Sequence, residues 1–235
     1  MQQHAASLLN ASAILIIFPL FLLFSAITAF LLFSPLGTPL FKILAARAMQ
    51  KKKYASAARL YERIYHWQEL LEGSDVYAKQ AAFAWEQVGD LRQALSYSQK
   101  GEDWAKVGQL LIEMGKMEQA IEVFREHKLA ARLAFCYEQT GHFWGAGELY
   151  ELELDNHHKA MRFYEKALQQ DDLSPLDRIR VRLLMARTVF RLGKKEESLS
   201  HFEMAEALLA KPEAPEPDEH LKVVYRTVQL LLNGK

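Results

Sequence analysis

Along the chain, the apolar positions fall into three regimes. From Ala11 to Phe33 they are continuous: 23 residues of Ala, Ile, Leu and Phe, interrupted only by Ser12, Pro19, Ser25 and Thr28. From about residue 42 to residue 210, apolar and small residues recur at helical spacing among charged ones, without strand-like alternation. No proline occurs between Phe41 and Leu173. From His220 to Leu232, the residues Leu221, Val224, Tyr225, Val228 and Leu231 share one helical face. The pattern predicts an all-α protein. Its parts are a short tail (1–10), an apolar helix (11–34), a Pro/Gly linker (35–41), a helical body (42–210), an acidic Pro-rich linker (211–219) and a last helix (220–235). That last helix is expected either to cap the body or to dock on a partner.

The apolar stretch is long enough to span a membrane. A 23-residue helix is roughly 35 Å long, against a hydrocarbon core about 30 Å thick. Between Met1 and Phe41 there is no Lys, Arg, Asp or Glu. Pro19 is tolerable within a membrane helix, and the helix is expected to stop near Ser34, because Pro35, Gly37 and Pro39 follow. A cleavable signal peptide fits poorly, since there is no basic leader and the apolar core exceeds about 15 residues.

Charge sets the expected orientation. Lys42, Arg47, Lys51, Lys52, Lys53 and Arg59 all precede the first acid, Glu62. Positive charge is retained on the cytoplasmic side, so the expectation is a single-pass membrane protein with its N-terminus outside and its repeat domain cytoplasmic. Lys42, Arg47, Lys51, Lys52 and Lys53 are then expected at the membrane surface, within reach of anionic lipid head groups.

Within the body the glycines are periodic. Gly89, Gly115 and Gly141 are 26 residues apart, and Gly193 lies another 52 further on. Five residues after each comes a small residue (Ala94, Ala120, Ala146, Ser198), and nine after three of them an aromatic (Phe124, Tyr150, Phe202). The glycine ends one helix in a left-handed conformation, the small residue lets the next helix approach, and the aromatic fills the following groove. Before the glycines, first-helix patterns appear: Ala78, Ala81-Ala82 and Trp85; Trp104, Val107-Gly108 and Leu111; Ala130, Leu133-Ala134 and Tyr137.

On these residues, the stretch from about 41 to 210 resembles the tetratricopeptide repeat (TPR) family. The period of 26 is shorter than that family's usual 34, and the closing proline of each repeat is missing. The resemblance implies an α-solenoid of short helical hairpins whose first helices line a concave, partner-binding face. Carried over by register, that face comprises Lys79, Phe83, Gln87, Gln109, Ile112, Phe135, Gln139, Arg187, Phe190 and Arg191. An Arg-rich end (Arg178, Arg180, Arg182, Arg187, Arg191) is expected to receive an acidic segment.

Composition narrows the chemistry. The formal charge is zero, with 29 basic and 29 acidic residues, which argues against a nucleic-acid partner. The lone Cys136 excludes an internal disulfide, and it is expected to be a buried, inert thiol rather than part of a metal site with His142. Glu148, Glu151, Glu153 and Asp155 are expected on a solvated face. Trp85 and Trp104 are expected in the core, while Trp67 and Trp144 lie near turns, where packing and partner contact are both open. No catalytic constellation, metal site or cofactor site is expected, and hence no enzyme.

Two functions follow as expectations. One is a membrane-anchored scaffold or adaptor, with the repeats binding or assembling protein partners, other membrane-complex subunits foremost, at the cytoplasmic face. The other is an accessory or regulatory subunit whose span packs on a membrane enzyme or transport complex. Ser12, Ser25, Ala26 and Ala29 allow close helix approach there.

Overall fold

The computed structural model describes residues 20, 22–28, 37–68 and 74–234. Among the described residues every element from residue 37 onward is helical: α1 (Thr38–Gln50), α2 (Tyr54–Gln68), α3 (Ser74–Val88), α4 (Leu91–Lys100), α5 (Trp104–Glu113), α6 (Met117–Glu126), α7 (Ala130–Gln139), α8 (Phe143–Leu152), α9 (His157–Leu168), α10 (Pro175–Arg191), α11 (Lys195–Leu209) and α12 (Glu219–Leu232). The expected span 11–34 lies largely outside the described residues. Its described part, Leu20 and residues 22–28, is helical, with Ser25 and Thr28 donating to the carbonyls of Leu22 and Phe24. Among the described residues, no helix is long and apolar enough to cross a membrane.

The middle helices are short because a left-handed residue stops the chain every 13 residues. Gly89 (φ 87°), Gly115 (74°) and Gly141 (75°) alternate with Glu102 (52°) and Lys128 (54°). After each, the next backbone N–H reaches back five residues: Asp90 to Trp85, Asp103 to Ser98, Lys116 to Leu111, Leu129 to Phe124 and His142 to Tyr137, at 2.8–3.1 Å. This Schellman closure satisfies the orphan carbonyls of the helix end. Glycine marks only some of these turns in the sequence.

The repeat is TPR-like in its packing. The small residue five positions after each glycine (Ala94, Ala120, Ala146, Ser198) has no exposed surface. Ser198 also donates to the Ala186 carbonyl at 2.7 Å, so its hydroxyl is satisfied inside.

Two compact units divide at Leu110/Leu111, within α5. In the first, α1 to α4 enclose a core rich in alanine: Ala57, Ala58, Ala78, Ala81, Ala82 and Ala84, with Phe41, Tyr61, Ile64, Tyr65 and Tyr97 filling between them. Trp85 packs against this core and donates from Nε1 to Glu62 at 2.5 Å. Trp67 meets Phe41 edge-on at 5.0 Å.

In the second unit the periodic reading needs a correction. The 52-position step from Gly141 to Gly193 holds three helices, α8, α9 and α10, where two repeats would require four. The extra length goes into α10, which is 17 residues long. Ser174 caps its start and Pro175 occupies the first turn, where its missing N–H is harmless. All residues from Ile179 to Val189 except Arg182 are buried, with α9, α11 and α12 packed around them. The α12 residues Leu221, Val224 and Val228 are buried in the same core. Beyond α9, the alternation of first and second helices is therefore inverted relative to the glycine register.

Candidate functional site

The second unit contains a buried ionic knot and an open groove. The centre of the knot is Glu151 of α8, which is 1% exposed. Arg187 of α10 donates to it twice, Nε to Oε1 at 2.8 Å and Nη2 to Oε2 at 2.9 Å, while Tyr164 of α9 donates its hydroxyl at 2.9 Å. A buried carboxylate survives only with such complete pairing. Arg191 adds a further contact at 3.5 Å.

Two glycines inside α8 allow close approaches, one of them within the knot. Glycine within a helix costs about 1 kcal/mol relative to alanine. Here, a Cβ on Gly147 would lie 2.5 Å from Cε1 of Tyr164, so the missing side chain lets that ring reach Glu151. A Cβ on Gly145 would lie 2.3 Å from Cδ2 of His142, whose ring sits against the helix backbone.

The electrostatics lock these groups. Burial disfavours charge on Arg187, but the hydrogen bonds and charge of Glu151 more than offset it and raise its pKa further. Burial, followed by the adjacent Glu151 carboxylate, pushes the Tyr164 hydroxyl well above the ordinary 10.0. Burial also lowers His142 below 6.5, so its imidazole is neutral at pH 7.

The same unit holds a groove of about 380 Å³, which Glu148 lines. An aromatic ladder runs along its wall. Arg125 donates to the Tyr137 hydroxyl at 3.1 Å, Tyr137 meets the His142 ring at 4.7 Å, and His142 meets Trp144 at 4.4 Å. Leu133, Leu149 and Leu152 supply the aliphatic lining, and Leu152 is 48% exposed. His220, at the start of α12, closes one end by pairing with Glu148 at 3.2 Å.

Trp144 is held from behind by Arg180, whose guanidinium lies 4.7 Å from the ring centroid. Arg180 is itself buried and paired with Asp177 and Asp218. Asp218 also caps α12, accepting from the Leu221 N–H at 2.8 Å. The acidic segment that meets the Arg-rich helix is thus the chain's own Pro-rich linker.

The residues singled out in the sequence are divided between the two units. Lys79, Phe83 and Gln87 lie on α3, where Phe83 is 47% exposed and Lys79 pairs with Asp75 at 3.1 Å. Gln109 and Ile112 are partly buried on α5, Phe135 is exposed on α7 and Gln139 lies near its end. Arg187 is 6% exposed and committed to Glu151, because α10 breaks the register that assigned it to the open face. Phe190 is partly buried, and Arg191 is exposed but reaches Glu151. Of the basic collar, Lys51, Lys52 and Lys53 are exposed and Arg47 is open, whereas the Lys42 ammonium rests 4.9 Å over the Tyr77 ring.

Glu151 corrects the reading of its cluster as a solvated face. Its partners are 13 and 36 residues away in sequence, beyond any local pattern. The unusual Gly-Ala-Gly inside α8 was the available signal of a close approach. Cys136 is buried, and its thiol pKa is raised by that burial. Among the described residues, no group of three or more His, Cys, Asp or Glu converges to hold a metal ion.

The fold and the groove define a TPR-like helical-repeat protein. The chain belongs to the family described as "Uncharacterized protein conserved in bacteria (DUF2225)", which matches residues 109–229, just over half of the sequence. No curated protein matches it. Among solved structures, MamA (residues 41 to the end) from Desulfovibrio magneticus RS-1 is similar at 17% identity, covering 75% of this chain and 97% of that one with a TM-score of 0.35. A thermophilic TPR protein of Thermus thermophilus is similar at 18% identity, covering 82% and 99%, with a TM-score of 0.30.

Proposed function

We propose that this chain is a membrane-anchored adaptor. Residues 11–34 hold it in a membrane, and its TPR-like repeats dock a protein partner at the cytoplasmic face, with the groove beside Trp144 as the seat. One observation carries the reading. Trp144, Leu149 and Leu152 line an opening of about 380 Å³, while the charges of Glu151 and Arg187 in the same unit are paired within the protein. Aromatic and aliphatic surface of this kind, edged by a few charges such as Arg125 and Glu153, suits an apolar anchor side chain of a protein segment.

The anchor has its own support. Leu20, Leu22, Leu23, Phe24 and Ile27 are all large, apolar and about half or more exposed, which suits lipid better than water. Tethering confines the repeats to a layer near the bilayer and raises their effective concentration for subunits of a membrane complex.

The test is affinity capture of the full chain from detergent extracts, alongside Leu152→Asp. A protein that co-purifies stoichiometrically with the wild type and is lost with Leu152→Asp, at unchanged melting temperature, supports the reading. Equal recovery with both chains, or none with either, contradicts it. Orientation is checked with a reporter fused after Lys235 that is active only outside the cytoplasm; the expected result is silence.

A further inference from the structure

We infer that α1 lies in the membrane interface, with Leu40, Ile43 and Leu44 in the boundary between head groups and acyl chains and Arg47 and Lys51 beside anionic phosphates. The inference deepens the anchored reading and rests on it.

The helix has two apolar sides, and the described residues cover only one. Thr38, Phe41 and Ala45 are buried, with Phe41 and Ala45 in the core of the first unit and Ala48 packed against it. On the other side Leu40, Ile43, Leu44 and Arg47 follow the i, i+3, i+4, i+7 spacing of a single stripe, and Lys51 extends it by one more turn. Ile43 is 52% exposed, and Leu40 and Leu44 are likewise open. A short stripe of aliphatics running into exposed cations is the pattern of a helix lying in a membrane surface.

Charge and chain length together select lipid as the occupant. No acidic residue occurs anywhere from Met1 to Tyr61, and Arg47, Lys51, Lys52 and Lys53 are exposed, so the charge that this segment carries to the surface is wholly positive. Anionic head groups complement it. Leu40 is six residues beyond Ser34, so at about 3.5 Å per residue it lies within about 20 Å of the end of the apolar segment. Lys42, which falls off the stripe, turns instead to Tyr77 inside the unit.

The experiment uses the full chain in lipid nanodiscs containing phosphatidylglycerol. A fluorophore is placed at Ile43→Cys, or at Val223→Cys as a control, in a Cys136→Ala background. Lipids brominated near the head group should quench the label at position 43 roughly threefold more than the label at 223. That difference should shrink by at least about half in purely zwitterionic discs or with Arg47→Glu and Lys51→Glu. A chain that fails to enter the discs overturns the anchor and this inference together. Entry without preferential quenching at 43 overturns this inference alone. A label shielded from both lipid and water in discs holding two cross-linkable copies assigns the stripe to a second copy and also overturns it.

Discussion

Arg187 grips Glu151 with two hydrogen bonds of 2.8 and 2.9 Å in a setting where the carboxylate has no solvent-exposed side-chain surface. Removing one partner of such a pair leaves a buried charge and costs about 3–5 kcal/mol, whereas removing both costs far less. Glu151→Ala should therefore destabilise the protein by that amount in chemical denaturation. The double variant Glu151→Leu/Arg187→Met should be markedly more stable than Glu151→Ala. Similar losses in both would mean that the knot acts through packing and not through charge.

Tyr164 completes the knot only because Gly147 has no side chain. Alanine is intrinsically the better helix former, by about 1 kcal/mol, so Gly147→Ala ought to stabilise an isolated α8. In the folded protein the new methyl would displace the Tyr164 ring, and overpacking of this kind costs about 1–3 kcal/mol. A lowered melting temperature is expected, and a raised one would show that the ring can yield freely.

The alternating turns make opposite predictions at matched positions. At Gly115 (φ 74°), nothing lies within 4 Å of where a Cβ would sit, so Gly115→Ala should cost only the conformational penalty, about 1 kcal/mol. Lys128 holds a similar backbone (φ 54°) without being glycine, so Lys128→Gly should be neutral or stabilising by up to about 1 kcal/mol. Denaturation midpoints should fall for the first variant and hold or rise for the second.

Stability should depend on pH at both ends of the range. His142 and His201 are lowered below 6.5, chiefly by burial, so the unfolded chain takes up these protons more readily than the folded one. Their contribution is full above about pH 6.5 and is lost as pH falls through the folded values. Tyr164 is raised well above 10.0, so its contribution is full below pH 10 and is lost as pH rises through the folded value. Thermal melts between pH 7.5 and 5.5 should show the acidic loss, and His142→Gln with His201→Gln should flatten it.

Much of the repeat was legible because its signals are local. A glycine, a small residue five later and an aromatic nine later report one hairpin, and Ala120 and Phe124 are buried in those roles. What escaped was non-local or unmarked. Glu102 and Lys128 make left-handed turns without glycine, so alternate turns left no compositional trace. The phase change at α10 was hidden because Gly193 falls on a multiple of 26 although only three helices intervene. The knot depends on pairings across 13 to 36 residues, and it withdrew Arg187 from the surface to which the register had assigned it.

The central claim is that the groove beside Trp144 is where an anchored chain holds its partner. The most direct measurement places a photo-crosslinking residue at Leu152, in the groove, and separately at Leu199, an exposed apolar position on α11 outside its lining, in cells producing the full chain. One discrete protein adduct from position 152 in the membrane fraction, and none from 199, is the predicted result. No adduct at 152, or the same adducts from both positions, would contradict it.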